Sequence, residues 1–158
     1  MSAILVKFLG GIMKSCMLIG HRDVPCGIEQ VLRETVVKLI KTEGAEVFYV
    51  GNHGSFDAMA WRTLTQIQRE YPHIEVVEVL AYIPAKEEFP LRTEAVTLYP
   101  EGMENIPKRF AIIARNKWMV DHSDFVIAYA RYSTGNASKI VQYAERKGKT
   151  VYRLNVTE

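Results

Sequence analysis

A three-part pattern, recurring along the chain, most constrains what it can fold into. Each repeat has a short apolar run, a polar loop carrying glycine, and a segment with apolar residues at helical spacing. The first begins with SCMLIG (15–20) and the loop HRDVPCG. Ile28, Val31, Leu32, Val36, Leu39 and Ile40 then recur every three or four residues, up to Gly44. The second has AEVFYVG (45–51), the loop NHGS, and a helix with Phe56, Ala60, Leu64, Ile67 and Tyr71 on one face, ended by Pro72. Apolar runs without alternation belong to strands buried on both faces, and periodic segments between them supply the covering helices. Strands joined through helices must run parallel with crossover connections.

The rest of the chain continues the pattern with one interruption. IEVVEVLAYI (74–83) reads as a third strand, and a long irregular stretch runs on to about Pro107, with AVTLYP (95–100) as a short fourth strand inside it. Pro107 suits a helix first turn, and Ile106, Phe110, Ile113 and Val120 space an inner face up to Asp121. FVIAYA (125–130) is the next strand. The loop RYSTGN opens a helix with Ile140, Val141 and Ala144 inward, Gly148 stops it, and TVYRLNV (150–156) is the last strand. The expected class is α/β: a doubly wound, mainly parallel sheet with helices on both faces.

A length of 158 residues fits one domain, with 48% apolar and 24% charged residues and no low-complexity tract. The formal charge of +2 is too weak a field to argue for nucleic acid by itself. Cys16 and Cys26 have no metal-type spacing and form no disulfide framework, so free thiols in a reducing cytoplasm are expected. The apolar start MSAILVKFLGGIM is too short to span a bilayer and lacks the pattern of an export signal. Met13 stands just before the first strand, which leaves residues 1–12 either an extension from an upstream start or an ordinary docking segment, with 13–158 as the domain.

In a doubly wound sheet, ligands bind beyond the carboxyl ends of the strands. The loops there are GHRD (20–23), GNHGSFD (51–57) and RYSTGNAS (131–138). Each combines glycine with a following helix N-terminus, a combination that favours phosphate. None is a dinucleotide or Walker fingerprint. Ser133, Thr134 and Asn136 serve equally well as helix caps. Ser55 is a natural N-cap, and Asp57 suits the first helical turn without any ligand. His21 and His53 follow the first two strands, where an imidazole can donate, accept or move a proton. Arg22 is placed to clamp phosphate, and Arg115 with Asn116 can turn toward the same crevice. Trp61 and Trp118 read as packing residues.

At these loops the chain resembles the SLOG superfamily, a Rossmann-like group uniting LOG-type cytokinin-activating proteins, DprA DNA-processing proteins and YpsA-like proteins. CMLIGHR (16–22), GNHGSFDAMAW (51–61) and RNKWMVDHSDFVIAYARYSTGNASKIVQYAERKGK (115–149) carry the resemblance, closest to short YpsA-like members. It implies a nucleotide-type pocket around Gly20, His21, Arg22, Gly51, Asn52, Asp57, Arg115, Asn116, Ser133, Thr134, Gly135 and Asn136. Two departures stand out. The usual double glycine and threonine read Gly135, Asn136 and Ala137, and Ser138, Lys139 and Ile140 stand where LOG enzymes carry a glutamate.

The expectation is therefore a domain that binds or senses a nucleotide or nucleotide-derived small molecule, with no cofactor or metal, no membrane, and a homo-oligomeric state. The alternatives are a nucleoside-phosphate hydrolase or transferase using Asp57 or Glu145, and a DprA-like nucleic-acid accessory protein. The low charge sets nucleic acid down as an unfavoured partner unless Lys139, Arg146, Lys147 and Lys149 align into a stripe.

Overall fold

Residues Lys14–Gly20 form strand β1, whose side chains alternate between two apolar layers. Cys16 and Leu18 face one, Met17 and Ile19 the other. This strand is the centre of a six-stranded sheet in the computed structural model, which describes residues 13–83 and 96–155. The elements in chain order are β1, α1 (Ile28–Glu43), β2 (Ala45–Val50), α2 (Gly54–Glu70), β3 (Glu75–Val79) and β4 (Val96–Leu98). After a 3-10 turn at Met103–Asn105 come α3 (Lys108–Asp121), β5 (Phe125–Tyr129), α4 (Asn136–Arg146) and β6 (Thr150–Arg153).

The strand order is β4-β3-β2-β1-β5-β6, and every neighbouring pair is parallel. Beyond β1 the chain winds outward through β2, β3 and β4, then returns through α3 to place β5 on the other side of β1. Helices α1 and α2 cover one face through Leu32, Val36, Phe56, Leu64 and Ile67. Helices α3 and α4 cover the other through Met119, Val120, Ile140, Val141 and Ala144. The doubly wound Rossmann-like architecture is thus present, and among the described strands the winding reverses between β1 and β5.

Three expectations need correction. The third strand stops at Val79 rather than near Ile83, because its edge partner β4 supplies three residues, Val96 to Leu98. Pro107 occupies the N-cap position, one residue before α3. The inner face of α3 is also rotated from the expected one. Ile106 and Phe110 are exposed by 37% and 49%, while Ala111, Arg115, Asn116, Met119 and Val120 are buried. Apolar spacing misleads here because two polar side chains take inward positions.

Trp118 stacks on His122 with ring centroids 4.0 Å apart, and Trp61 packs against the core, as packing residues should. Cys16 and Cys26 are both free. Among the described residues no helix is long and apolar enough to cross a membrane. The expectations for residues 1–12, for most of the long connection at 84–95, and for the end of the chain at 156–158 lie outside the described residues.

Candidate functional site

Gly20 and Tyr129 pair at the carboxyl ends of β1 and β5, and beyond them the two chains part toward α1 and α4. A cavity of about 250 Å³ lies at this switch point, lined by Gly20, His21, Arg22, Asp57, Arg115, Asn116 and Asn136 from the sequence-derived set. His53, Ile112, Met119 and Ala137 complete much of its wall. Gly51, Asn52, Ser133, Thr134 and Gly135 do not line it. A larger groove of about 540 Å³ runs between α1 and α2, with no strand or strand-end loop residue in its lining. Most of its charges are already paired, Arg33 with Glu70 at 2.7 Å and Glu29 with the neighbouring Arg62 at 3.3 Å. The smaller cavity therefore commands the site by position and by available charge.

Gly20 is held by packing rather than by ligand approach. A Cβ there would lie 2.4 Å from the Phe56 ring, so only glycine lets β1 pass over α2. Immediately after it, the His21 backbone N–H donates to Tyr129 O at 3.1 Å, and the Tyr132 backbone N–H donates to His21 Nε2, also at 3.1 Å. A ring nitrogen that accepts from a backbone N–H carries no proton. His21 is thus neutral with its proton on Nδ1, and burial pushes its pKa below the usual histidine value, in the same sense. Arg22 is exposed and makes no hydrogen bond or ion pair among the described residues; its stem runs past the N-terminus of α2 at Gly54.

The floor is built on Arg115, only 2% exposed. Its Nε donates to Asn116 Oδ1 at 2.8 Å, and one Nη donates to Val79 O at 3.0 Å and to Asn52 Oδ1 at 3.3 Å. Burial works against its charge, and the nearby Asp57, Tyr82 and Glu78 support it. Asp57 Oδ2 also accepts the His53 backbone N–H at 2.9 Å. The Asp57 carboxylate and the Arg115 guanidinium converge on the space above Gly51, where a Cβ would lie 2.7 Å and 2.8 Å from them. Arg115 is accordingly a tie between β2, β3 and α3 that contributes a positive floor, and Asp57 is engaged in holding it. His53 Nε2 meets the Tyr82 hydroxyl at 2.9 Å, while its Nδ1 is buried with no partner among the described residues. Burial, then Arg115 and Arg22, lower the His53 pKa.

The wall opposite is the start of α4. Gly135 has φ 103°, a left-handed conformation open to glycine, and a Cβ there would come no nearer than 3.9 Å to His21. Side chains at this glycine are excluded by backbone strain rather than by crowding. No side chain of the described residues caps α4, and its first residues, Asn136 and Ala137, line the cavity. The cap expected from Ser133, Thr134 or Asn136 is not formed. Ser133 and Thr134 are exposed in the turn, and Ser138 Oγ donates to Tyr132 O instead. Ser55 is likewise not an N-cap: α2 begins at Gly54 with His53 at the cap position. Glu145 sits in the last turn of α4, bonded to Arg153 at 2.8 Å, and has no place in the cavity. No cluster of metal-ligating side chains occurs among the described residues.

Sequence reasoning passed over Tyr132 as a site residue. It is 58% exposed on the rim, with Arg131 Cζ 5.9 Å from its ring and the His21 ring 5.2 Å away. Its signal was an aromatic beside arginine in a loop at a strand end. The exposed polar loop around it drew attention to small residues instead.

No family model matches the chain, and no curated protein matches it significantly. Solved structures do. DNA processing protein A (DprA) from Streptococcus pneumoniae superposes with a TM-score of 0.66 at 14% identity, over 96% of this chain and 53% of that one. DNA processing protein A from Helicobacter pylori, described with a single-stranded DNA binding mode, superposes with a TM-score of 0.55 at 17% identity, over 91% of this chain and 66% of that one. The chain spans about half to two thirds of these proteins, with which it shares the Rossmann-like fold. This corrects the ranking of nucleic acid as an unfavoured partner: the same fold serves a protein described with a single-stranded DNA binding mode. The ranking rested on a net charge of +2, a whole-surface sum that says nothing of where the cations stand. The cations considered for a basic stripe lie on and just after α4. Lys139 lies in its first turn, but Arg146, Lys147 and Lys149 lie at the far end, where Lys147 approaches Asp121 at 3.7 Å.

Proposed function

We propose that this domain binds single-stranded nucleic acid at the carboxyl edge of its sheet, with a backbone phosphate seated in the switch-point cavity. The observation that carries it is the convergence of three anion-attracting features there: the exposed Arg22, the His21 Nδ1–H, and an α4 N-terminus that no side chain caps. His21 and the Tyr132 loop are 111 residues apart in sequence and are joined directly by a hydrogen bond, so the two halves of the sheet present these features side by side. Helix N-termini and guanidinium groups recognise phosphate without reading base identity. The fold shared with a single-stranded-DNA-binding protein supports the same reading.

A second reading keeps the cavity for a free nucleotide-type molecule, in line with the resemblance to YpsA-like proteins. The cavity's volume of about 250 Å³ favours it in part, since that space suits a phosphate and sugar better than a long chain. Catalysis has weaker support: Asp57 is committed to His53 N–H and to the Arg115 floor, and Glu145 is remote. Fluorescence anisotropy with a labelled 20-nucleotide single strand, its duplex, and a panel of free nucleotides separates the two. Tight binding of the strand over the duplex and over free nucleotides supports the proposal. Saturation by a mononucleotide alone would replace it with the second reading.

A further inference from the structure

A second cavity, of about 420 Å³, lies on the other side of the β1–α1 loop, lined by Asp23, Val24, Pro25, Ser55, Arg131 and Tyr132 among others. Successive residues of that loop divide between the two spaces: Arg22 lines the phosphate cavity and Asp23 the second. The partners of the two spaces also differ. The first abuts α3 and α4, through Ile112, Met119 and Ala137, as well as Asp57 of α2, and the second abuts the loop before α1 and the first turn of α2, through Pro25 and Ser55. The two are adjacent across His21, which lines the first and is bonded to Tyr129 O and from the Tyr132 N–H, both residues of the second.

From this arrangement we infer that the second cavity is a base-accepting subsite. It takes the nucleotide next to the one whose phosphate sits in the first, so that a single strand crosses the carboxyl edge of the sheet between β1 and β5. The inference rests on the reading of the site given above. Its chemistry is that of a stacking platform. Tyr132 presents an exposed ring, with a guanidinium on one side and the apolar surfaces of Val24 and Pro25 in the same cavity wall. Every base has a face that stacks on such a ring, so the subsite is tolerant of base identity. Asp23 and Ser55 add an acceptor and a hydroxyl to the polar edge, able to meet an exocyclic amino group. A duplex cannot present an unstacked base to Tyr132 while its phosphate lies in the first cavity, which makes this subsite the source of preference for single strands.

The test compares thymidine monophosphate, the dinucleotide pTpT and a 20-nucleotide single strand on the whole chain. The proteins are the wild type, Tyr132→Ala, Arg22→Ala and, as a remote surface control, Arg146→Ala. Tyr132 is exposed, and its bond to His21 is made by the backbone, so removing the ring leaves the fold and that bond in place. The wild type should gain on going from the mononucleotide to pTpT. Tyr132→Ala should lose that gain, with roughly 5- to 150-fold weaker binding of pTpT and of the strand, the scale of one stacked base. Its affinity for the mononucleotide should hold. Wild-type binding weakened by Arg22→Ala but not by Tyr132→Ala would overturn the second subsite and leave the phosphate site standing. No oligonucleotide binding by the wild type would overturn both.

Discussion

His21 Nε2 and the backbone N–H of Tyr132 are hydrogen-bonded at 3.1 Å across the gap between β1 and β5. One imidazole thereby fixes the separation of the two loops that enclose the candidate site, and its own tautomer is fixed in return.

This latch holds only while His21 is neutral, because a protonated ring has no acceptor to offer the N–H. Burial lowers the His21 pKa, so between that value and the ordinary one near 6.5 the unfolded chain binds more protons than the folded one. The stability contribution is therefore complete above about pH 6.5 and is lost as pH falls through the folded-state value. Urea unfolding at pH 7.5 and pH 5.5 should show a smaller loss on acidification for His21→Ala than for the wild type. His53, also lowered, should leave part of the slope in place. Equal slopes in the two proteins would show that His21 does not titrate with folding.

Gly20→Ala should destabilise the fold by about 1–3 kcal/mol, the usual cost of overpacking, because the added Cβ meets the Phe56 ring at 2.4 Å. Pairing it with Phe56→Leu should recover part of the loss. A double-mutant cycle on denaturation midpoints measures this, and strictly additive effects would separate the two residues.

Arg115→Met should cost about 3–5 kcal/mol, since it leaves Val79 O, Asn52 and Asp57 facing a buried space without their cation. Arg115→Lys should rescue little, because a point charge cannot reach Asn116 Oδ1 and Val79 O together as the planar fork does. Thermal melts of the two variants check both statements. A fully stable Arg115→Met protein would mean that the floor needs no cation.

The sheet was legible because its determinants are local. Runs such as 15–20 and 125–130 are apolar without alternation, and the periodicity from Ile28 to Ile40 marks α1 up to its left-handed stop at Gly44, φ 71°. Strand-end loops then located the site by topology alone. The face of α3 was misread because Arg115 and Asn116 are inward polar residues whose partners come from β3 and the β2 loop, a relation no window along the chain contains. The His21–Tyr132 contact was illegible for the same reason. The Ser55 cap failed more locally: α2 starts two residues earlier than that cap requires, and Asp57 bonds the His53 N–H.

The most direct test of the account is the salt dependence of single-strand binding with and without Arg22. If Arg22 neutralises a backbone phosphate, Arg22→Ala should weaken a 20-nucleotide strand about 10- to 150-fold, the scale of one charge-assisted contact of about 1.5–3 kcal/mol. The slope of log affinity against log salt should fall in magnitude by about 0.7. The wild-type fold should be kept, since Arg22 is exposed. Anisotropy titrations from low to moderate salt give both quantities. An unchanged affinity and slope in a folded Arg22→Ala protein would contradict the placement of a nucleic-acid phosphate at the switch point.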